Sequence, residues 1–200
     1  MNRNFIILGV VGFVVLLLLW GVTTNISYQN KFVTEDEEIN QAWAKVQTQY
    51  QRRADLIPNL VATVKGAADF EKSTLEAVTN ARARATSINI DPSNLSAEKL
   101  AEFQAAQGQL SQGLGRLLAT AENYPTLQSN AQFRDLQVQL EGTENRIATA
   151  RDRFNEEVSD LNIMVRKFPG SFFASLQGVE TRPMFEATAV AADQPVKVEF

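Results

Sequence analysis

The chain has 200 residues, with 19 lysines and arginines against 23 aspartates and glutamates, and a formal net charge of −4. This acidic balance argues against nucleic acid as a partner, because phosphate binding needs concentrated positive charge. The sequence contains no cysteine and no histidine, which removes thiol nucleophiles, imidazole bases and zinc sites of the Cys/His kind. We therefore expect one folded domain with appendages and no metal or cofactor.

The first element in the chain is an apolar segment, FIILGVVGFVVLLLLWGV at residues 5–22. At 1.5 Å per residue it reaches about 27 Å, close to the hydrocarbon thickness of a bilayer. A cleaved signal peptide is the alternative, but no A-x-A-like site follows Trp20. We predict a tail at 1–4 and a transmembrane helix at 5–24, which begins at Phe5, places Trp20 at the interface and makes the lipid bilayer a partner.

The body is predicted to begin with a long amphipathic helix. Thr34 is its expected N-cap, with Glu37 at the third helical position to form a capping box. The apolar positions that follow recur at steps of three and four, which is the helical period: they include Ile39, Trp43, Val46, Tyr50, Ala54, Ile57 and Val64.

Two further helices are expected before the middle of the chain. The second covers about 71–87, with Arg82 and Arg84 facing outward, and a loop follows at 89–94. Ser96 is predicted to cap the third helix, whose inward face includes Leu100, Phe103 and Gln107. Its glycines at 108, 113 and 115 lack the lysine and Ser/Thr of a phosphate-binding loop, so close helix packing is the preferred interpretation.

The fourth helix is predicted over about 129–167 and stops at Phe-Pro-Gly. Ser171 can cap a short helix that ends at Gly178. The segment should fold back to cover its apolar side chains: Phe172, Phe173, Leu176, Met184 and Phe185. The prediction is thus an all-α protein with a transmembrane helix, an antiparallel four-helix bundle with long first and fourth helices at 25–186, a short C-terminal helix, and a flexible tail at 187–200.

The most informative stretch is QRRADLIPNLV at residues 51–61. Pro58 removes the amide that would bond the carbonyl of Ala54. In one interpretation the helix continues with a kink, and an arginine donates to that carbonyl; in the other, Asp55 caps a new helix. The polar residues of the stretch form either a partner-binding patch or a structural bend that pairs with acidic residues of the fourth helix: Arg52, Arg53, Asp55, Pro58 and Asn59.

Several carboxylates have helical spacing: Glu98, Glu102, Glu141, Glu144, Glu156, Glu157 and Asp160. Di-metal sites in helical bundles combine glutamates with Glu-x-x-His, and this chain has no histidine. A solvated charged face is therefore the preferred interpretation, and we predict no metal site and no enzyme activity.

Four stretches together resemble the LemA family of bacterial membrane proteins: AWAKVQTQYQRRADLIPNLVATVKG, TLEAVTNARARA, AENYPTLQSNAQFRDLQVQLEGTENRIATARDRFNEEV and FPGSFFA. The resemblance extends from the anchor to Phe185. It implies a single-pass protein of the bacterial inner membrane with a helical-bundle domain of unassigned activity, and a magnetosome-associated branch with a role in membrane organisation. It places the body in the cytoplasm, whereas Arg3 and the N-terminal amine, with only Lys31 on the other side of the apolar segment, favour a body outside, so the orientation stays open.

Two classes of function remain after these exclusions. The first is a membrane-anchored interaction or scaffold protein that binds other membrane proteins or itself. The second is an accessory or regulator of a membrane enzyme such as a protease. A purely structural spacer is a third possibility, and it predicts that surface substitutions in the 51–61 stretch have no effect in the cell.

Overall fold

The computed structural model describes residues 3–66, 70–92 and 95–186, and within these ranges the regular structure is entirely helical. Residues 67–69 and the predicted tail at 187–200 lie outside the described residues. The helices in chain order are α1 (Arg3–Lys65), α2 (Lys72–Ser87), α3 (Ala97–Ala121), α4 (Pro125–Gln128), α5 (Ala131–Arg166) and α6 (Gly170–Gln177).

Helix α1 runs without interruption from the apolar segment into the body. Its first part is long and apolar enough to cross a membrane and is not buried against the rest of the chain; Trp20 is 68% exposed. Phe5 lies within α1, but its side chain is outside the described residues. The predicted helix start at Thr34 is wrong, because Thr34 lies inside α1 and its hydroxyl donates to the carbonyl of Asn30 at 3.0 Å.

The body packs around two apolar clusters. The membrane-proximal core takes Phe32 to Tyr50 of α1, and the distal core takes Leu56 to Val64. Trp43 is at the centre of the proximal core, where its ring lies 5.6 Å from Phe103 of α3 and 5.3 Å from Phe154 of α5. The inward positions predicted from the helical period in α1 are confirmed: Ile39, Trp43, Val46, Tyr50, Ala54, Ile57 and Val64 are all buried.

Neighbouring helices run in opposite directions. Trp43 of α1 contacts Phe154 of α5, whereas Arg53, further along α1, contacts Glu144, which comes earlier in α5. The same reversal relates α2 and α3, since Arg84 donates to Gln109 while Val78, earlier in α2, lies beside Gly113. Arg53 also contacts Gln107 of α3, so α1, α3 and α5 meet at its level.

The helix continues through Pro58, so the alternative in which Asp55 caps a new helix is wrong. The carbonyl of Ala54, which the proline leaves without its helical donor, accepts a hydrogen bond from Nε of Arg82 at 2.7 Å. An arginine therefore supplies the missing donor, as the first interpretation predicts. Arg82 is half-buried against α1, not outward as predicted, whereas Arg84 is exposed.

Replacing Arg82 by methionine is expected to lower the free energy of unfolding by about 1–2 kcal/mol, because the Ala54 carbonyl loses its donor in a partly buried position. Arg84→Met is the matched control and should change it by less than about 0.5 kcal/mol, since Arg84 is exposed. Urea unfolding of the full chain in detergent micelles measures both. Equal effects of the two substitutions would contradict the role of Arg82.

Helix ends follow the predicted caps in part. Ser96 accepts from the amide of Lys99 and caps α3, as predicted, and Gly178 has the left-handed φ of 69° at the end of α6. Pro169, not Ser171, occupies the N-cap of α6. The short helix α4 was not predicted, and α5 begins after Asn130, whose side chain accepts from the amide of Phe133.

The three glycines of α3 do not share one role. An added Cβ at Gly113 would lie 3.5 Å from Val78, an ordinary contact, so this glycine faces α2 without requiring the absence of a side chain. Gly108 and Gly115 have no heavy atom within 4 Å of such a Cβ. The prediction of close helix packing is therefore wrong for these two positions.

An extended segment, residues 179–186, follows α6 and returns along α5. Two asparagines of α5 hold its backbone: Asn162 pairs with both the amide and the carbonyl of Arg182, and Asn155 does the same with Phe185. Phe173 and Phe185 are buried and Met184 is partly buried, as predicted. Phe172 and Leu176 remain exposed, so the prediction that the segment covers all its apolar side chains is wrong for them.

Candidate functional site

The residues predicted as a patch or bend are divided by the fold. Arg53 is 1% exposed, whereas Arg52, Asp55, Pro58 and Asn59 are exposed. The division follows from the helical period, because Arg53 lies three and four residues from the buried Tyr50 and Ile57. The stretch therefore contains one internal residue and an exposed polar face.

Arg53 lies between the membrane-proximal core and the distal core, where its guanidinium joins three helices. Nη1 donates to Oε1 of Glu144 at 2.6 Å and to Oγ of Ser111 at 2.7 Å. Nη2 donates to Oε1 of Gln107 at 2.6 Å and to its carbonyl at 3.3 Å. A guanidinium, with five donors in a rigid plane, fits such a divergent set of acceptors, and a lysine would not.

The electrostatic environment of Arg53 is asymmetric. The Glu144 side chain is 46% exposed, so the ion pair opens toward solvent on one side. On the other side Nε of Arg53 is buried without a hydrogen-bond partner, and the guanidinium carbon lies 5.1 Å from the centre of the Tyr50 ring. Burial raises the pKa of Tyr50, while Arg151 and Arg53 oppose that shift, so the phenol is neutral at physiological pH.

Gln107 connects the arginine to α2. Its Oε1 accepts from Arg53, and its Nε2 donates to the carbonyl of Ala85 near the end of α2 at 3.3 Å. Both ends of a buried amide are thus satisfied, which a buried polar group requires. Gln107 was predicted on the inward face of α3, and it is 7% exposed.

A cleft of about 640 Å³ opens beside this cluster, between α3 and α5. Arg53, Glu144, Gln107 and Ser111 line it together with Arg151. Ser111 accepts a hydrogen bond from Arg53, and the residues that the structure describes contain no group of three or more acidic side chains placed to hold a metal. The arrangement can fix the positions of three helices relative to one another.

The exposed face of α1 is formed by Arg52, Asp55 and Asn59, which lie three and four residues apart and so on one side of the helix. Asp55 accepts a hydrogen bond from Nε2 of Gln51 at 2.7 Å. Within the described residues Arg52 takes part in no ion pair. This face offers a guanidinium, a carboxylate and an amide to solvent or to a partner.

The predicted carboxylate groups lie on the surface. Glu98, Glu102, Glu141, Glu156 and Asp160 are exposed, and Glu157 is half-buried with Arg153 Nε 3.6 Å from its Oε1. Glu144 differs from the others because it meets Arg53. This distribution fits the solvated face that the sequence favours.

Acidic side chains also meet near the membrane-proximal core. Desolvation raises the pKa of Glu35, and the neighbouring charges of Glu38, Asp160 and Glu157 raise it further. A carboxylate with a raised folded-state pKa destabilises the folded protein when it is ionised. The penalty is therefore full above the folded pKa and disappears as the pH falls below the unfolded value.

Replacing Glu35 by glutamine is expected to raise the free energy of unfolding at neutral pH by up to about 0.5 kcal/mol, a small gain because the site is solvent-screened. The gain should vanish by about pH 4, where Glu35 itself is protonated. Thermal melts of the full chain at several pH values test this, with the exposed Glu37→Gln as the control. A gain that persists unchanged in acid would contradict it.

The sequence was compared with known families and proteins. The profile of the LemA family matches residues 42–200. The chain belongs to the LemA family. This confirms the resemblance, and the matched region contains all four stretches that carry it.

Curated proteins similar to this LemA-family chain include the magnetosome proteins MamQ 1 and MamQ 2 of Paramagnetospirillum magneticum. Each is 28% identical to it, over 95% of this chain and 73% of the relative. Magnetosome protein MamQ of Magnetospirillum gryphiswaldense is 27% identical, over 91% of this chain and 73% of that protein. Alignments of this extent reach into the apolar part of α1, beyond the region that the family profile matches.

Sequence reasoning missed several residues that organise this LemA-family body. Gln107 was assigned to the inward face without a role, and Asn155 and Asn162 were not singled out. Their spacing of seven residues, two helical turns, places both on one side of α5, and that spacing was the available signal. What they bind is an extended backbone, which leaves no periodic pattern in the sequence.

Proposed function

We propose that the protein is a membrane-anchored helical scaffold that binds other membrane proteins, or further copies of itself, and catalyses no reaction. The continuity of α1 carries this proposal. One helix supplies the candidate membrane span, the buried Arg53 and the exposed face of Arg52, Asp55 and Asn59. A partner bound at that face would therefore be held at a fixed height above the bilayer.

The proposed division of the chain is a tail at 1–4, a transmembrane helix at 5–24, a body at 25–186 and a tail at 187–200. The boundary between 24 and 25 falls inside α1, so the anchor and the body are joined without a linker. We propose that the body is an antiparallel four-helix bundle of α1, α2, α3 and α5, supported by the reversed order of contacts between neighbouring helices. The proposed location is the inner membrane of a bacterial cell.

Two further observations support a scaffold. The polar cluster around Arg53 connects three helices through hydrogen bonds, which is what a structural role requires. The relatives are named magnetosome proteins, that is, proteins of a cellular structure, and this agrees with a structural role for the chain. Any effect on a partner enzyme, such as a membrane protease, would follow from binding.

The partner face is tested with a charge swap that leaves the net charge unchanged. Arg52→Glu combined with Asp55→Arg should abolish a crosslink between the exposed face and a membrane protein or a second copy, while the melting temperature stays within about 2 °C. Arg134→Glu combined with Asp135→Arg, on the exposed surface of α5, is the matched control. Arg53 is excluded from the swap because its reversal would unfold the core.

The readout is a photo-crosslinking residue at position 59 of the full chain in its own membrane, compared with one at position 138. A discrete adduct at 59 that the first swap removes and the control swap preserves supports the scaffold. Loss of a partner enzyme's activity with that adduct favours the accessory role. The proposal fails if positions 59 and 138 give the same adducts, if the swapped chain rescues a deletion fully, or if the purified chain turns over a substrate alone.

A further inference from the structure

Large apolar side chains remain uncovered around α6. Phe168 is 81% exposed, Phe172 is 62% exposed and Leu176 is 63% exposed. Phe172 and Leu176 are four residues apart in α6 and therefore share one side of the helix. The opposite side, which includes Phe173, is buried against the body. A surface helix normally turns polar residues outward, so an outward apolar side indicates something that covers it.

Contacts with α1 give the height of α6 relative to the membrane. The Phe173 ring stacks on Tyr28 with centroids 4.8 Å apart, and Nε2 of Gln177 donates to Oδ1 of Asn25 at 2.6 Å. The apolar segment ends at Val22, so Asn25 lies about 4.5 Å and Tyr28 about 9 Å further along the helix axis. The headgroup layer on each side of the hydrocarbon is about 5–8 Å thick. The contact at Asn25 thus lies within the headgroup layer and the contact at Tyr28 at its outer boundary, so α6 is attached to α1 next to the membrane surface.

The charges near α6 match that depth. Arg166 and Lys167, at the end of α5, are both exposed and directly precede Phe168. Lys31 of α1 lies over the Tyr28 ring, with Nζ 5.2 Å from its centroid. Cations beside exposed aromatic and aliphatic side chains are the composition that binds the surface of an anionic bilayer.

From this placement we infer that α6 is a membrane-binding foot: Phe168, Phe172 and Leu176 insert at the headgroup boundary of the leaflet from which the anchor emerges. Arg166 and Lys167 contact anionic headgroups in the same leaflet. The foot gives the body a second attachment beside α1 and so fixes its rotation about the anchor axis. The inference rests on the proposed membrane anchoring and is independent of the partner face, and it holds for either orientation of the anchor.

The chain has no cysteine, so single-cysteine variants can be labelled without background. An environment-sensitive fluorophore is attached to Phe172→Cys, to Val15→Cys within the apolar segment, and to the exposed Val138→Cys of α5. The labelled full-length chains are reconstituted in phosphatidylethanolamine–phosphatidylglycerol vesicles, with iodide on both sides of the membrane. Lipids that carry a nitroxide near the headgroup or deep in the acyl chain report the depth of each label.

The label at 172 is expected to be quenched by iodide at least about threefold less than the label at 138, and to be quenched by the shallow nitroxide lipid. The label at 15 should respond to the deep nitroxide. Leu176→Cys repeats the measurement if Phe172→Cys does not fold, with Trp43 fluorescence as the check on folding.

Three results would overturn the foot. If iodide quenches the label at position 172 as strongly as the label at position 138, while the label at position 15 is protected, the foot is wrong and the membrane anchoring is retained. If 15 is itself open to iodide, the anchoring fails and the foot fails with it. Protection at 172 that disappears on dilution of the protein in lipid, without nitroxide quenching, assigns the surface to a second copy of the chain.

Discussion

Replacing Arg53 by alanine is expected to lower the free energy of unfolding by about 3–5 kcal/mol, whereas Arg52→Ala should change it by less than about 0.5 kcal/mol. The two arginines are adjacent, but only Arg53 is buried. Its removal leaves the buried Gln107 without its donor and Glu144 without its cation, and it opens a cavity between the two cores. The loss of the four hydrogen bonds from the charged guanidinium therefore adds to the loss of packing.

The measurement uses the full chain in detergent micelles and the fluorescence of Trp43, in a background where Trp20 is replaced by phenylalanine. Urea unfolding then reports the body without a signal from the anchor. Arg53→Met with Glu144→Met separates charge from packing, because an apolar pair of similar size costs less than an unpaired buried group. Equal unfolding energies for Arg53→Ala and Arg52→Ala would contradict the assignment of Arg53 as the link between helices.

Replacing Gly170 by alanine should cost about 2–3 kcal/mol, because the added Cβ would overlap the carbonyl oxygen of Met164 and would lie 3.4 Å from the Tyr28 ring. Backbone, unlike the end of a flexible side chain, cannot move aside at low cost. The substitution would therefore displace α6 from α1 and from the end of α5.

Gly142→Ala is the matched control, because Gly142 lies within α5 and has no heavy atom within 4 Å of an added Cβ. Alanine has the higher helix propensity, so this variant should gain about 0.5–1 kcal/mol. Thermal melts of both variants test the prediction. A Gly170→Ala chain as stable as the original would show that α6 is not held closely against α5.

The helical period predicted the helices of the body well, because burial on one side leaves a direct signal in the sequence. The capping box at Thr34 gave a wrong helix start, because the pattern is local and the chain is already helical where it leaves the apolar segment. Ser171 failed for a similar reason, because Pro169 takes the position before the first turn of α6. A local capping pattern indicates a position where a helix can begin. Whether the helix begins there depends on the structure of the neighbouring residues.

The candidate site was predictable only in part. The Pro58 interpretation foresaw that an arginine would reach the Ala54 carbonyl, but Arg82 was assigned to the outside because arginine is usually exposed. The burial of Arg53 depends on Gln107 and Glu144, which come from helices 54 and 91 residues away in sequence. A pattern within one helix carries no information about such distant partners. The hydrogen bonds of Asn155 and Asn162 with Phe185 and Arg182 are equally distant in sequence.

Because α1 is continuous, a tilt of its apolar segment would be transmitted to the whole body. Asn25, three residues after the apolar segment ends, already contacts Gln177 of α6, and α1 is unbroken there, so no flexible linker separates the apolar segment from the body. Membrane helices tilt when the bilayer thickness does not match their apolar length. From Val22 to Lys65 the helix extends about 65 Å, and a tilt of about 10° in the anchor would move its far end by about 11 Å. The position of the distal core relative to the membrane would then depend on the thickness of the bilayer.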